Sequence, residues 1–182
     1  MAALNPQLIG KDMPHGFAGC YARQPDMIVE TRPAGGSTPI PYGTPLVYGT
    51  APAVVAAGAG FTAAKFAGVA GFEIKSALTY LDQQAGQYAV GEPVSVFQRG
   101  SINVKCTGGT PAVGGAVYIL AAESEQGDLT NAAVGDFVAS ADSTTGANTV
   151  QLTNCQWGGP ADANGIAESI GNPKGANVAI LG

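Results

Sequence analysis

The chain has 182 residues, 46% hydrophobic and only 12% charged, with 27 glycines and 12 prolines. That length holds one domain, or one domain with an ordered arm. The net charge is −5 and the eight basic residues are scattered, which excludes the basic stripe that nucleic acid or an anionic membrane would require.

An average soluble domain is about 25% charged, so this surface is poor in charge. Such a surface suits a large protein–protein contact, because few charges need desolvating on association. It equally suits a β-rich chain with many turns. The opening MAALNPQLIGKDMPHG reads without the apolar core of a secretory signal. The apolar stretch at 51–64 is interrupted by Pro52, Gly58 and Gly60, too often for a membrane span.

Residues 1 to about 40 carry Pro6, Pro14, Pro25, Pro33 and Pro39. Proline fixes φ and removes an amide donor, so this region reads as an extended N-terminal arm rather than a helix or central strand. Within it, Met27 to Thr31 has the composition of a strand. The arm needs something to lie on, either a partner or its own domain. The remainder, 41–182, reads as the folded domain. Pro45–Tyr48 begins a series of strands, and Thr50 to Ala64 reads as either a short helix or a loop. Lys65 to Ile74 reads as a buried strand with a glycine bulge. Tyr88-Ala89-Val90 leads into a turn at Gly91-Glu92-Pro93. Val94–Val96 and Ile102–Cys106 alternate around Gly100-Ser101, which predicts a hairpin with Ser95, Asn103 and Lys105 outward. Ala116–Leu120 is continuously apolar, as in a strand buried on both sides. Asp136–Ala139, Asn148–Leu152 and Asn177–Leu181 are shorter candidates. Eight to ten short strands at this spacing predict an all-β fold, a jelly-roll-like sandwich or small β-barrel.

Catalytic chemistry is not signalled. His15, the only histidine, lies in the proline-rich arm, where positioning against a nucleophile is hard to achieve. No nucleophile-elbow or phosphate-loop motif occurs. Asp162-Ala163-Asn164-Gly165 lacks the full calcium-loop pattern and reads as an Asx turn. Glu123, Glu125 and Asp128 sit in a polar loop, as solvated carboxylates do. The sequence therefore predicts no catalytic residue, no metal and no cofactor. Trp157, beside Gly158-Gly159-Pro160, fits an interface anchor or a cap on its own core.

Five segments carry a resemblance to a known family. They are Gly16-Phe17-Ala18-Gly19 after Pro14, Phe66-Ala67-Gly68-Val69-Ala70, Gly91-Glu92-Pro93-Val94-Ser95-Val96 after Tyr88, Gly100-Ser101-Ile102-Asn103-Val104, and Gly114-Gly115-Ala116-Val117-Tyr118. Together they resemble the structural cement, or head decoration, proteins of tailed bacteriophages, from residue 14 to 120 with a less distinctive C-terminal part. The resemblance implies a non-enzymatic virion protein, made in the host cytoplasm and bound to the outer surface of the icosahedral head. It implies attachment where capsid subunits meet, as dimers or trimers, to reinforce the shell against internal DNA pressure. The implied partners are the major capsid protein and sister copies. Pro14, His15, Phe17, Arg23, Ile28, Arg32 and Trp157 are the expected contact residues. A tail or baseplate β-sandwich module, or a carbohydrate-binding spike domain, is the alternative. Glycan binding would be marked by clustered exposed aromatics, and the chain is 7% aromatic with one tryptophan.

Cys20, Cys106 and Cys155 are odd in number and form no C-x-x-C, so they read as small buried apolar residues. Adding reductant is therefore expected to leave the melting temperature unchanged in calorimetry. A clear drop would reveal a disulfide.

Overall fold

The computed structural model describes residues 14–74 and 85–171. In chain order its strands are β1 (Tyr21–Pro33), β2 (Ile40–Pro41), β3 (Pro45–Tyr48), β4 (Val54–Ala56), β5 (Phe66–Ala70), β6 (Gln87–Tyr88), β7 (Pro93–Gly108), β8 (Ala116–Leu120), β9 (Phe137–Val138), β10 (Thr149–Trp157) and β11 (Ile166–Gly171). Single 3-10 turns occupy Ala63–Lys65 and Gly146–Asn148. The fold is all-β, as predicted.

Five strands close a barrel in the order β11-β10-β8-β9-β7, with β7 returning to β11. The β7–β9 pair is parallel and the other pairs of the barrel are antiparallel. Beyond the barrel, the sheet continues from β7 through β5 and β3 to β4, and β1 also lies along β7. A bridge from Ala34 to Val54 joins the end of β1 to β4, so a second lobe curls almost closed around the N-terminal half of β7.

Each lobe has its own core. The barrel buries Phe97, Ile102, Val104, Val117, Ile119, Phe137, Leu152 and Trp157. The second lobe buries Ile40, Leu46, Val54, Ala67, Tyr88, Val94 and Val96. Burying one such large side chain contributes about 1.5–3 kcal/mol. Tyr88 is fully enclosed, and its hydroxyl donates to the Gly71 carbonyl at 2.6 Å. Burial pushes that phenol up to about 12.

The predicted hairpin at Gly100 does not form. Residues 93–108 run on as one 16-residue strand. Local alternation fits two short strands or one long one, and tertiary pairing decides. β1 pairs along one edge from Pro93 to Ile102, while β5 pairs at Val96 and Phe97 and β11 takes over from Gly100 to Lys105. Gly100 bends the strand instead of reversing it. Its φ is +113°, and a Cβ there would collide with the Asp26 carbonyl of β1. Nor does Asn103 face solvent: it is 4% exposed, because the N-terminal lead-in covers that wall of the barrel. Lys105 is exposed as predicted.

Elsewhere the outcome is mixed. β3 and β8 have the predicted bounds. Tyr118 of β8 is only half-buried, because a barrel strand is covered on one side. The glycine bulge of β5 is present, where Leu46 faces Gly68 but Val47 faces Phe66. The 50–64 stretch is neither helix nor plain loop; it holds β4 and a 3-10 turn. The Met27–Thr31 run lies inside β1. β11 was not predicted, because Glu168 interrupts its apolar pattern. The predicted strand at 177–181 lies outside the described residues.

Replacing Gly100 by alanine is expected to cost about 2 kcal/mol or more, from strain at positive φ and the collision with β1. Urea unfolding reads this directly, and an unshifted midpoint would mean that β1 gives way freely.

Candidate protein-interaction surface

Among the described residues, most of the large apolar side chains left exposed come from one stretch. Phe17 is 72% exposed, and Tyr21, Met27, Ile28 and Val29 are each more than a third exposed. Successive strand residues point to opposite faces, so Met27 and Val29 share one face of β1 and Ile28 the other. Neither face is therefore closed over. Among the described strands, β1 pairs with β7 alone. An apolar edge strand is a template for association unless something covers it.

The polar residues around this stretch are equally distinctive. The three arginines of the chain, Arg23, Arg32 and Arg99, all lie on the β1–β7 ribbon. Each meets a carboxylate. Arg99 donates through Nε and Nη2 to Asp26 Oδ2 at 3.1 and 3.0 Å. Arg32 donates to Glu30 Oε1 at 2.5 Å and to the Pro52 carbonyl at 3.2 Å, with its guanidinium 5.2 Å from the Tyr48 ring centre. Arg23 donates from Nη2 to Glu168 Oε2 at 2.8 Å. Its Nε is 2.7 Å from Oε1, an ion-pair distance without hydrogen-bond alignment. The more exposed Arg99–Asp26 and Arg32–Glu30 pairs contribute little to stability. The three pairs do place a neutral arginine rim around an aromatic and aliphatic centre, the composition of a protein–protein interface.

Of the predicted contact residues, all but Trp157 lie along the N-terminal segment from Pro14 to Arg32. Pro14 and His15 are exposed. The His15 amide donates to Asp162 Oδ2 at 2.9 Å, and its Nε2 lies 3.2 Å from the Pro160 carbonyl. Phe17 stacks on Phe72 at 6.3 Å between centroids. From there edge-on contacts lead through Tyr42 to Tyr88 at 5.2 and 5.0 Å. Ile28, Arg23 and Arg32 lie on β1. Trp157 departs from the set: it is 1% exposed and packs inside the barrel, because it ends β10 with its ring turned to the core. A partner's surface would not reach it. Tyr21, Met27 and Val29 belong to the surface but were missed. Met27 and Val29 had as signal an apolar run in a stretch already read as strand, with no local way to tell exposed from buried; Tyr21, outside that run, had none.

Two aspartates elsewhere, Asp142 and Asp162, serve as structural ties. An open cleft of about 950 Å³ is lined by residues that include Glu123, Glu125, Gln126, Asp142 and Asn148. Asp142 is 4% exposed. Its Oδ1 accepts from the Thr145 and Thr144 amides at 2.9 and 2.8 Å, and its Oδ2 from Asn148 Nδ2 at 2.8 Å. The Thr145 amide first, with the Ser124 hydroxyl, Asn148 and the Thr144 amide, holds this carboxyl down at about 2. Asp162 Oδ1 accepts from the Asn164 and Ile166 amides, the Asx turn predicted. Among the described residues no group of three His, Cys, Asp or Glu could hold a metal ion, and none of the helices is long and apolar enough to cross a membrane. The three cysteines are unpaired; burial pushes Cys155 up to about 12, which keeps it a thiol.

The sequence model of the family described as structural cement protein, a phage family, matches residues 5–169. This chain belongs to the phage structural cement proteins. It is a capsid-associated structural protein of the virion. A chain in the solved structure titled "The capsid of Myoviridae Phage XM1" is similar in fold, with a TM-score of 0.63 at 14% identity, covering 92% of this chain and 97% of that one. No curated protein matches.

The low Asp142 carboxyl gives a pH prediction. An unfolded Asp titrates near 3.9, so Asp142 stabilises the fold above that pH, and its contribution fades as pH falls from about 4 through about 2. Thermal melts should show Asp142→Asn less stable than wild type at pH 7, with the gap closing by pH 2. A gap that stays constant with pH would contradict the assignment.

Proposed function

We propose that this cement protein binds the outside of the icosahedral head at junctions between capsomers and stabilises the shell against internal DNA pressure. The N-terminal region, residues 1 to about 40, makes the contact with the major capsid protein. The observation that carries this reading is the half-exposed apolar ribbon, Tyr21 and Met27 to Val29, rimmed by three paired arginines. A ligand that binds only the assembled lattice stabilises it by mass action. Repetition of that contact over a symmetric lattice adds avidity. Self-association as a dimer or trimer belongs to the same reading, because one neutral, apolar ribbon can serve a sister copy as well as the capsid. Catalysis has no place in it: the buried carboxylate of the polar cleft, Asp142, is tied to the Thr144 and Thr145 amides and to Asn148.

Co-sedimentation with expanded, undecorated heads tests the function. Wild-type protein should bind saturably, and absence of binding would overturn the reading. Ile28→Asp and Val29→Asp place a charge on opposite faces of β1, and each is expected to weaken binding about tenfold or more while far-ultraviolet circular dichroism stays unchanged. Undiminished binding by both would move the contact off β1.

A further inference from the structure

We infer that residues 14–23 form a strap that joins the two lobes and opens as a unit, without unfolding of the barrel. Polar contacts tie the strap to the barrel at three places, and Tyr21 adds an apolar one, pairing with Ile102 and packing its ring on Phe97 at 5.4 Å between centroids. The His15 amide reaches Asp162 in the loop before β11. Asn103 of β7 is gripped through backbone and side chain: it accepts from the Gly19 amide at 2.7 Å, donates its own amide to the Cys20 carbonyl at 2.9 Å, and donates Nδ2 to the His15 carbonyl at 2.5 Å. Arg23 meets Glu168 of β11. The strap also reaches the second lobe, where the Phe72 amide donates to the Gly19 carbonyl at 2.8 Å and Phe17 stacks on Phe72.

Two features make this segment separable. The first is the chemistry of the wall beneath it. Asn103 and Glu168 are direct partners across the β7–β11 ladder, so they share a face, opposite the core residues Val104 and Ala167. Both are buried, at 4% and 7% exposure, and each has one oxygen without a hydrogen-bond donor. The strap thus seals a polar patch on the outside of the barrel. Lifting it lets water reach Asn103 and Glu168, and of the contacts with the barrel's apolar core it gives up that of Tyr21 with Phe97. The second feature is a hinge. Between Arg23, opposite Ser101, and Ile28, opposite Arg99, β1 advances five residues while β7 advances two. The ladder is interrupted there, so pairing of the strap can be lost while 28–33 stay paired.

Opening frees ten residues, roughly 30 Å of extended chain. On the reading of the N-terminal region as the contact arm, that added reach is what spanning a seam between subunits would use. The strap itself is a property of the isolated protein, so failure of head binding would leave it standing.

Native-state amide exchange on the full chain, followed by NMR, tests the strap. The Gly19, Asn103 and Phe72 amides should open with lower protection than the Leu120 amide, which is bonded to Asp136 inside the barrel sheet. Arg23→Ala and Glu168→Gln should each raise exchange at those three amides by about tenfold or more and leave Leu120 unchanged. Because the Arg23 side chain is 66% exposed, its variant folds even if the Glu168 variant does not. Equal protection at all four amides, or a variant that shifts all four alike, would overturn the proposal.

Discussion

The structure depends on one strand serving two cores. β7 gives Val94 and Val96 to the second lobe and Phe97, Ile102 and Val104 to the barrel. Strict alternation would keep even-numbered residues on one side throughout. Phe97 breaks it, and the β1 register slips between Phe97 and Arg99 to allow this. Gly100 then bends the strand toward β11. Protein interiors tolerate little misfit, so these irregularities set how the lobes sit on β7. They also leave both walls of the ribbon to be covered by other parts of the chain.

That coverage is uneven, and the unevenness locates the contact surface. One part of the β7 wall is sealed by the lead-in through Asn103 and Glu168. The adjoining part of β1 is left with Met27, Ile28 and Val29 half-open. Charge is distributed to match. The chain is acidic overall, yet its three arginines gather on this ribbon and each is balanced by a carboxylate. A surface that is apolar at its centre and neutral at its rim can be buried without leaving a charge unpaired, which is the main cost of closing an interface.

The acidic residues away from the ribbon do a different job. Asp142 and Asp162 accept hydrogen bonds from backbone amides that turns would otherwise leave unpaired, and Gln126 links Asp128 to Ser143 across the same cleft. A domain so rich in glycine turns and so short of regular helix needs such ties, because each loop carries amides with no ladder to join. The buried carboxylate of the cleft, Asp142, is thus explained by structure.

Composition and local pattern by themselves determined the all-β class, the bounds of β3 and β8, the bulge in β5, the Asx turn at Asp162 and the absence of any catalytic motif. These are decided within a few residues, by alternation, glycine conformational freedom and side-chain chemistry. The segments from Gly16 to Tyr118 also carried the family resemblance. Tertiary structure alone decided what depends on distant partners. Whether Gly100 turned or merely bent the chain rested on β1, β5 and β11 arriving beside it. Burial of Asn103 and Glu168 rested on a lead-in more than 80 residues away in sequence. Trp157 faced inward because barrel closure put a core behind it. Met27 to Val29 remained exposed because no described strand pairs with the outer edge of β1. Local sequence sets what a segment can do; long-range pairing chooses among those options, since only the assembled sheet fixes which faces meet water.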